Sequence, residues 1–165
     1  MRKRPPRRRV SASQSADAAA AGSAAVTLLA RRDFCAAELV HTLLAQGFEA
    51  ATAQSVLAQL IERGYVSDER YAVQFVSYHA ERGLGPLRIR RDLEQLGVSA
   101  ELIATALEGA DWAQLARELR IRRFGLAVPK RWPDKARQAR FLQYRGFSND
   151  HIRSALGSEV VADLD

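Results

Sequence analysis

The sequence predicts an all-α protein of three tandem three-helix repeats, forming an elongated, curved, right-handed or solenoid-like array. Three observations lead there. A glycine recurs at Gly47, Gly97 and Gly146, at steps of 50 and 49 residues. Each sits in the same local pattern, with an apolar residue four before it (Leu43, Leu93, Leu142) and another directly after it (Phe48, Val98, Phe147). An apolar pair follows (Val56-Leu57, Ala106-Leu107, Ala155-Leu156), and from residue 24 onward the apolar positions keep a 3.6-residue period with no strand-like alternation. A glycine that ends an amphipathic run is a helix stop, because it enters the left-handed region without a steric penalty. Each repeat therefore holds a helix, a glycine stop and a further helix.

The elements follow in order. Val26, Leu28 and Leu29 begin the first helix, which ends near Arg32. Residues 35–46 form the second, with Leu39, Leu43 and Leu44 inward; residues 50–63 form the third, with Val56, Leu57, Leu60 and Ile61 on one face. Cys35 stands where the second helix needs an N-cap, with Glu38 three later as in a capping box, and reads as a weak cap substitute. Ser67-Asp68-Glu69 caps and starts the fourth helix, whose stripe is Tyr71, Ala72, Phe75, Val76 and His79. Gly83-Leu84-Gly85-Pro86 breaks the chain and restarts it, with proline at the first helical position. Ile89, Leu93 and Leu96 line that fifth helix to Gly97, and Ser99 caps the sixth. Asp111-Trp112 opens the seventh, with Leu115, Leu119 and Phe124 as its stripe. Residues 125–133 make a connection about eight residues longer than its counterparts. The eighth helix covers 134–145, and Ser148 caps the ninth. The expected division is a basic disordered tail over 1–24, repeats over 25–66, 67–110 and 111–157, and an acidic tail over 158–165.

Charge is unevenly placed. The net +6 divides into +5 over residues 1–24, −4 over 25–111, +8 over 112–153 and −3 over 154–165. Of 25 basic residues 22 are arginine, which favours flat bidentate contact with phosphate or carboxylate; a GC-rich coding bias, which also favours alanine, competes as the reason for that ratio. The first segment (Arg2, Lys3, Arg4, Arg7, Arg8, Arg9) lacks an apolar core behind it and fails as a secretory signal. It reads as a solvated tail, or as a loose arm onto nucleic acid. With one cysteine there is no disulfide framework, and no apolar run approaches the roughly 20 residues of a membrane span. A cytoplasmic monomer is expected.

Catalytic patterns are not found. His41, His79 and His151 share no metal spacing, and His79 falls on an apolar stripe, where a packed histidine is expected. Cys35 has no base at hand in the sequence, and Gly83-Leu84-Gly85 has neither a strand before it nor a Lys-Ser/Thr pair after it. No catalytic residue, metal or cofactor is expected. Surface charge remains. Arg82, Arg88, Arg90 and Arg91 cluster around the turn in the second repeat, where Asp92 and Glu94 compete for them. Arg120, Arg122, Arg123, Lys130, Arg131, Lys135, Arg137, Arg140 and Arg145 form a larger field in the third, where three acids face eleven bases. Such an imbalance points to an anionic partner, either nucleic acid or an acidic protein groove.

The runs Asp68-Glu69-Arg70-Tyr71-Ala72-Val73-Gln74-Phe75, Arg82-Gly83-Leu84-Gly85-Pro86-Leu87-Arg88-Ile89 and Leu93-Glu94-Gln95-Leu96-Gly97-Val98 resemble the central signature of the RecX family. Leu29-Ala30-Arg31-Arg32-Asp33-Phe34, Glu38-Leu39 and Phe141-Leu142-Gln143-Tyr144-Arg145-Gly146-Phe147-Ser148 resemble the flanking repeats, so the likeness covers residues 25 to about 157. The resemblance implies a regulator of the RecA recombinase that binds RecA and its filaments on single-stranded DNA. It implies suppression of strand exchange and ATP hydrolysis, from the filament groove or at its growing end. It brings no catalytic residue. It carries the turn motif onto Gly83, Gly85 and Arg88, and a basic face onto Arg137, Arg140 and Arg145. Two departures stand out: Cys35 replaces the usual serine cap, and the arginine-rich tail lies outside the family pattern. The rival readings are a stand-alone DNA-binding module using the helix pairs at Gly97 and Gly146, and a plain helical scaffold for another protein.

Overall fold

The computed structural model describes residues 16–157, and among these it is all-helical. Nine helices run in order: α1 (Ala18–Leu29), α2 (Ala36–Gln46), α3 (Ala50–Glu62), α4 (Asp68–Glu81), α5 (Pro86–Gln95), α6 (Ala100–Glu108), α7 (Trp112–Phe124), α8 (Trp132–Arg145) and α9 (Asn149–Leu156). The all-α class expected from periodicity is therefore the one observed among the described residues. The three recurring glycines are all left-handed, with φ of 104°, 84° and 91° at Gly47, Gly97 and Gly146. At the first and last of these the chain closes a six-to-one turn: Phe48 N–H donates to Leu43 O (3.2 Å) and Phe147 N–H to Leu142 O (3.1 Å). Both phenylalanines are buried by that turn, which is why an aromatic follows the glycine.

The serine caps also form as read. Ser67 Oγ accepts from Arg70 N–H (3.2 Å), Ser99 Oγ from Leu102 N–H (3.4 Å) and Ser148 Oγ from His151 N–H (3.4 Å). At Ser148 the bond is reciprocated, since Ser148 N–H donates to His151 Nδ1 (3.3 Å). His151 thus fills the place that glutamate usually takes in a capping box.

The chain divides into two compact units. The first holds α1, α2, α3 and the first turn of α4, together with Leu96–Val98. Its core gathers Ala21, Ala25, Phe34, Leu39, Leu43, Phe48, Val56, Leu60 and Val66. The second holds the rest of α4, α5, and α6 to α9. Here α9 packs on α7 and α8, and α5 on α6. Trp112 joins α6 to α7 by donating its indole N–H to Leu107 O (2.8 Å, buried). The second and third helix trios therefore share one unit.

Several local expectations are corrected. Helix α1 starts at Ala18, inside the stretch expected to be a disordered tail over 1–24. Asp17 caps it through Ala19 N–H and Ala20 N–H, and the alanines that follow are strong helix formers. Ala21 and Ala25 are fully buried, so a face without large apolar groups still packs. All six basic residues of that tail, and the acids Glu159, Asp163 and Asp165, lie outside the described residues. Cys35 holds the N-cap position of α2 but makes no cap bond; its Sγ donates to Leu96 O (3.2 Å). The orphan Ala36 N–H is taken by the Asp68 carboxylate (2.7 Å), and Glu38 pairs with Arg32 (2.7 Å) instead of closing a capping box. Leu44 and Ile61, expected inward, are exposed. Helix α8 begins at Trp132, because Pro133 is accepted in a first turn.

Candidate basic binding face

The second unit carries the basic residues, and a backbone joint positions them. Gly85 N–H donates to Arg145 O (2.8 Å) and Leu87 N–H to Gly146 O (3.0 Å). The orphan donors at the start of α5 thereby satisfy the orphan acceptors at the end of α8. Only glycines allow this approach. A Cβ on Gly85 would collide with the Gly146 carbonyl group, and one on Gly146 would collide with Arg88. Gly83 differs: a Cβ there would meet only the Leu119 side chain (2.8 Å from Cδ1), and its φ of 77° is what favours glycine.

The joint brings together the turn arginines of α4–α5 and the end of α8. Arg145 Nη1 donates to Arg82 O (3.5 Å), and the Arg82 guanidinium lies 3.4 Å from the Tyr78 ring centroid. Arg88 pairs with Asp92 one turn on (3.3 Å), while Arg91 is exposed with no carboxylate partner among the described residues. Beside them opens a cleft of about 430 Å³ lined by Leu87, Arg88, Arg91, Gln143, Tyr144 and the turn from Gly146 to Asn149. Tyr144 stands 89% exposed at its edge. That aromatic occupies the position of Ala45 and Gln95 in the other repeats, a difference visible in the sequence.

The larger field lies on α7, α8 and their connection. Arg122, Arg123, Lys130, Arg131, Arg137 and Arg140 are exposed and Lys135 is half-buried. Among the described residues of this stretch the ion pairs are Arg137 with Asp134 (3.4 Å) and Arg153 with Asp150 (3.2 Å). The excess of base over acid is thus left to solvent, and Arg123 and Arg137 flank the Phe124 ring at 5.8 and 5.6 Å. Arg120 departs from this picture. It is only 2% exposed, and its two terminal nitrogens donate to Ala127 O (3.0 Å) and Leu126 O (3.2 Å). It holds the connection in place and is not part of the surface field. Helical spacing from Arg117 to Arg123 hid this, because burial there depends on the loop folding back.

Burial lowers the His79 and His151 imidazoles below their ordinary value, with His79 against the Phe75 ring at 4.1 Å. Burial raises the Cys35 thiol and lifts Tyr71 to about 12. The hydrogen bonds that Arg32 donates to the Glu38 carboxylate raise its guanidinium above the ordinary value. No cluster of three His, Cys, Asp or Glu side chains suited to a metal occurs among the described residues. No helix there is long and apolar enough to cross a membrane. What the face offers is positive charge, one stacking surface and fixed backbone.

Known proteins are similar to this chain. Residues 67–107 match the family described as "RecX, second three-helix domain", and residues 110–156 match "RecX, third three-helix domain". The chain belongs to the RecX family. A "Regulatory protein RecX" of Halorhodospira halophila is 43% identical over 134 residues, covering 80% of this chain and 83% of that one. Another, of Pseudomonas savastanoi pv. phaseolicola, is 42% identical over 130 residues, covering 78% and 84%. The crystal structure of RecX from Lactobacillus salivarius superposes with a TM-score of 0.75 at 18% identity, over 84% of this chain and 94% of that chain, which shows a shared fold. The RecX relatives are regulatory proteins by name. The joint at Gly85 and Gly146 thus links the segments matched to the second and third RecX domains.

Proposed function

We propose that this RecX-family chain is a non-catalytic modulator of the RecA recombinase. It binds RecA and its filaments on single-stranded DNA and suppresses ATP hydrolysis and strand exchange. The observation that supports this most directly is the uncompensated base on α7, α8 and their connection, where Arg122, Lys130, Arg131 and Arg140 are exposed without an ion pair among the described residues. Arg82, Arg88, Arg91 and Arg145 extend that charge through the glycine joint. A face of this kind binds an acidic protein surface chiefly by electrostatic complementarity. It inhibits by binding one filament state better than another. The DNA-dependent ATPase of RecA, measured with and without the protein, tests the reading. Arg137→Glu with Arg140→Glu should raise the inhibiting concentration about tenfold, the effect of roughly 1.4 kcal/mol in binding, with helicity unchanged. Inhibition that survives both reversals would remove these residues from the contact.

The cleft supports a second reading, direct contact with single-stranded DNA. Arg88 and Arg91 would meet phosphates while exposed Tyr144 stacks a base. It predicts binding to a RecA-free oligonucleotide with a steep salt dependence, weakened by Tyr144→Ala without a change in slope.

A further inference from the structure

The α7–α8 connection, residues 125–131, is organised more strictly than a spacer needs. A buried arginine, Arg120, holds the carbonyls of Leu126 and Ala127 by two hydrogen bonds. With the backbone so fixed, the apolar side chains are turned out: Leu126 is 80% exposed, Val128 53% and Trp132, at the start of α8, 46%. Residues 119–133 contain five bases and no acid, so the exposed apolar groups sit inside a one-sign field of Arg122, Arg123, Lys130 and Arg131. Isolated surface apolar residues are ordinary, but three within seven positions, on a loop clamped from beneath, form a prepared patch.

We propose that this connection is a docking loop for a protein segment combining acidic side chains with apolar anchors. The inference rests on the reading above, in which the partner is the RecA filament, and assigns part of that contact to a loop outside the glycine joint. Charge complementarity selects an acidic occupant. The aliphatic pair selects protein over nucleic acid, since Leu126 and Val128 offer nothing to phosphates and little to base edges. Three apolar side chains on a short loop are also too narrow a face for a bilayer surface, which is bound by an extended apolar helix face. Trp132 supplies the large amphipathic ring typical of binding hot spots, and Arg120 removes the loop-ordering cost before the partner arrives.

The test measures affinity of the full chain for RecA filaments assembled on a single-stranded oligonucleotide, at two salt concentrations. Leu126→Ser with Val128→Ser should weaken binding about tenfold at both, because the lost contact is apolar and unscreened. Arg137→Glu with Arg140→Glu should instead flatten the salt dependence. Both sites are exposed, and circular dichroism checks that the variants fold. Filament binding by the serine pair equal to wild type overturns the loop while leaving the basic face standing. Absence of filament binding by the wild type overturns both. Equal losses on the bare oligonucleotide, on phosphatidylglycerol vesicles, or in self-association by sedimentation would assign the loop to another occupant and overturn the proposal.

Discussion

At the scale of single residues the fold relies on side chains acting away from their expected roles. His151 is the clearest. Its neutral Nδ1 accepts the Ser148 amide, and burial holds its pKa below the ordinary 6.5. The unfolded chain therefore takes up the proton first as pH falls, so the stabilisation is full above about 6.5 and is lost as pH drops below it. His79 acts in the same direction. His151→Gln keeps an acceptor and removes one titration; urea unfolding at pH 7.5 and 5.5 should show a smaller acid loss than in wild type. Arg120 gives a second test. It is buried, and among the described residues no carboxylate lies within ion-pair distance and its Nε has no partner. Replacing it by methionine exchanges a desolvated charge for an apolar stem, so global stability should shift by less than about 1 kcal/mol. The loop it holds should nevertheless open, seen as faster trypsin cleavage at Lys130 and Arg131. A sequence pattern cannot reveal such a residue, because its hydrogen-bond partners are carbonyls that any residue types would supply.

At the scale of elements the helix stops and starts were the most legible features, since each is a local requirement with a local signature. Gly47, Gly97 and Gly146 are left-handed as the repeat demands, and all three serines cap. Less legible were starts whose partners come from a distance. Helix α2 looks uncapped because its donor, Ala36 N–H, is satisfied by Asp68, 32 residues later. Asp68→Ala should cost about 1–2 kcal/mol in denaturant unfolding, the value of a strong cap, although Asp68 reads as a first-turn acid of its own helix. The start of α1 was missed for another reason: alanine satisfies helix propensity but weighs little in a search for apolar faces. Glycine substitutions separate strain from collision. Gly64 has φ of 73° and open space around it, so alanine there should cost about 1 kcal/mol from backbone strain alone. Gly146→Ala adds a collision with Arg88 and should cost about 2 kcal/mol or more, measured by calorimetry.

At the scale of the whole molecule the decisive property is the separation of charge along the chain. Residues 25–111 are net −4 and residues 112–153 net +8, so one region attracts what the other repels. On the proposed reading, inhibition of RecA filaments should fall steeply between about 0.1 and 1 M salt, as the screening length shrinks from roughly 10 to 3 Å. The location of this charge was legible from composition. The Arg88–Asp92 pair, one turn apart on α5, was legible too, but the inward turn of Arg120 and the place of Tyr144 at the edge of the basic cleft were not. Both of the latter depend on which backbone segments meet, and periodicity within one helix carries no record of that.

The seam at Gly85 and Gly146 bears on how this molecule can be dissected. Fragments cut at the family boundaries, 67–107 and 110–156, would each inherit half of a two-part lock. One would keep the amides of Gly85 and Leu87, the other the carbonyls of Arg145 and Gly146. The half at the start of α5 is not interchangeable with the matching piece of the first repeat, which has Cys35 where Gly85 stands, and a Cβ on Gly85 would collide with Gly146. Shuffling these repeats as equivalent modules should therefore fail at this seam, however closely their sequences align.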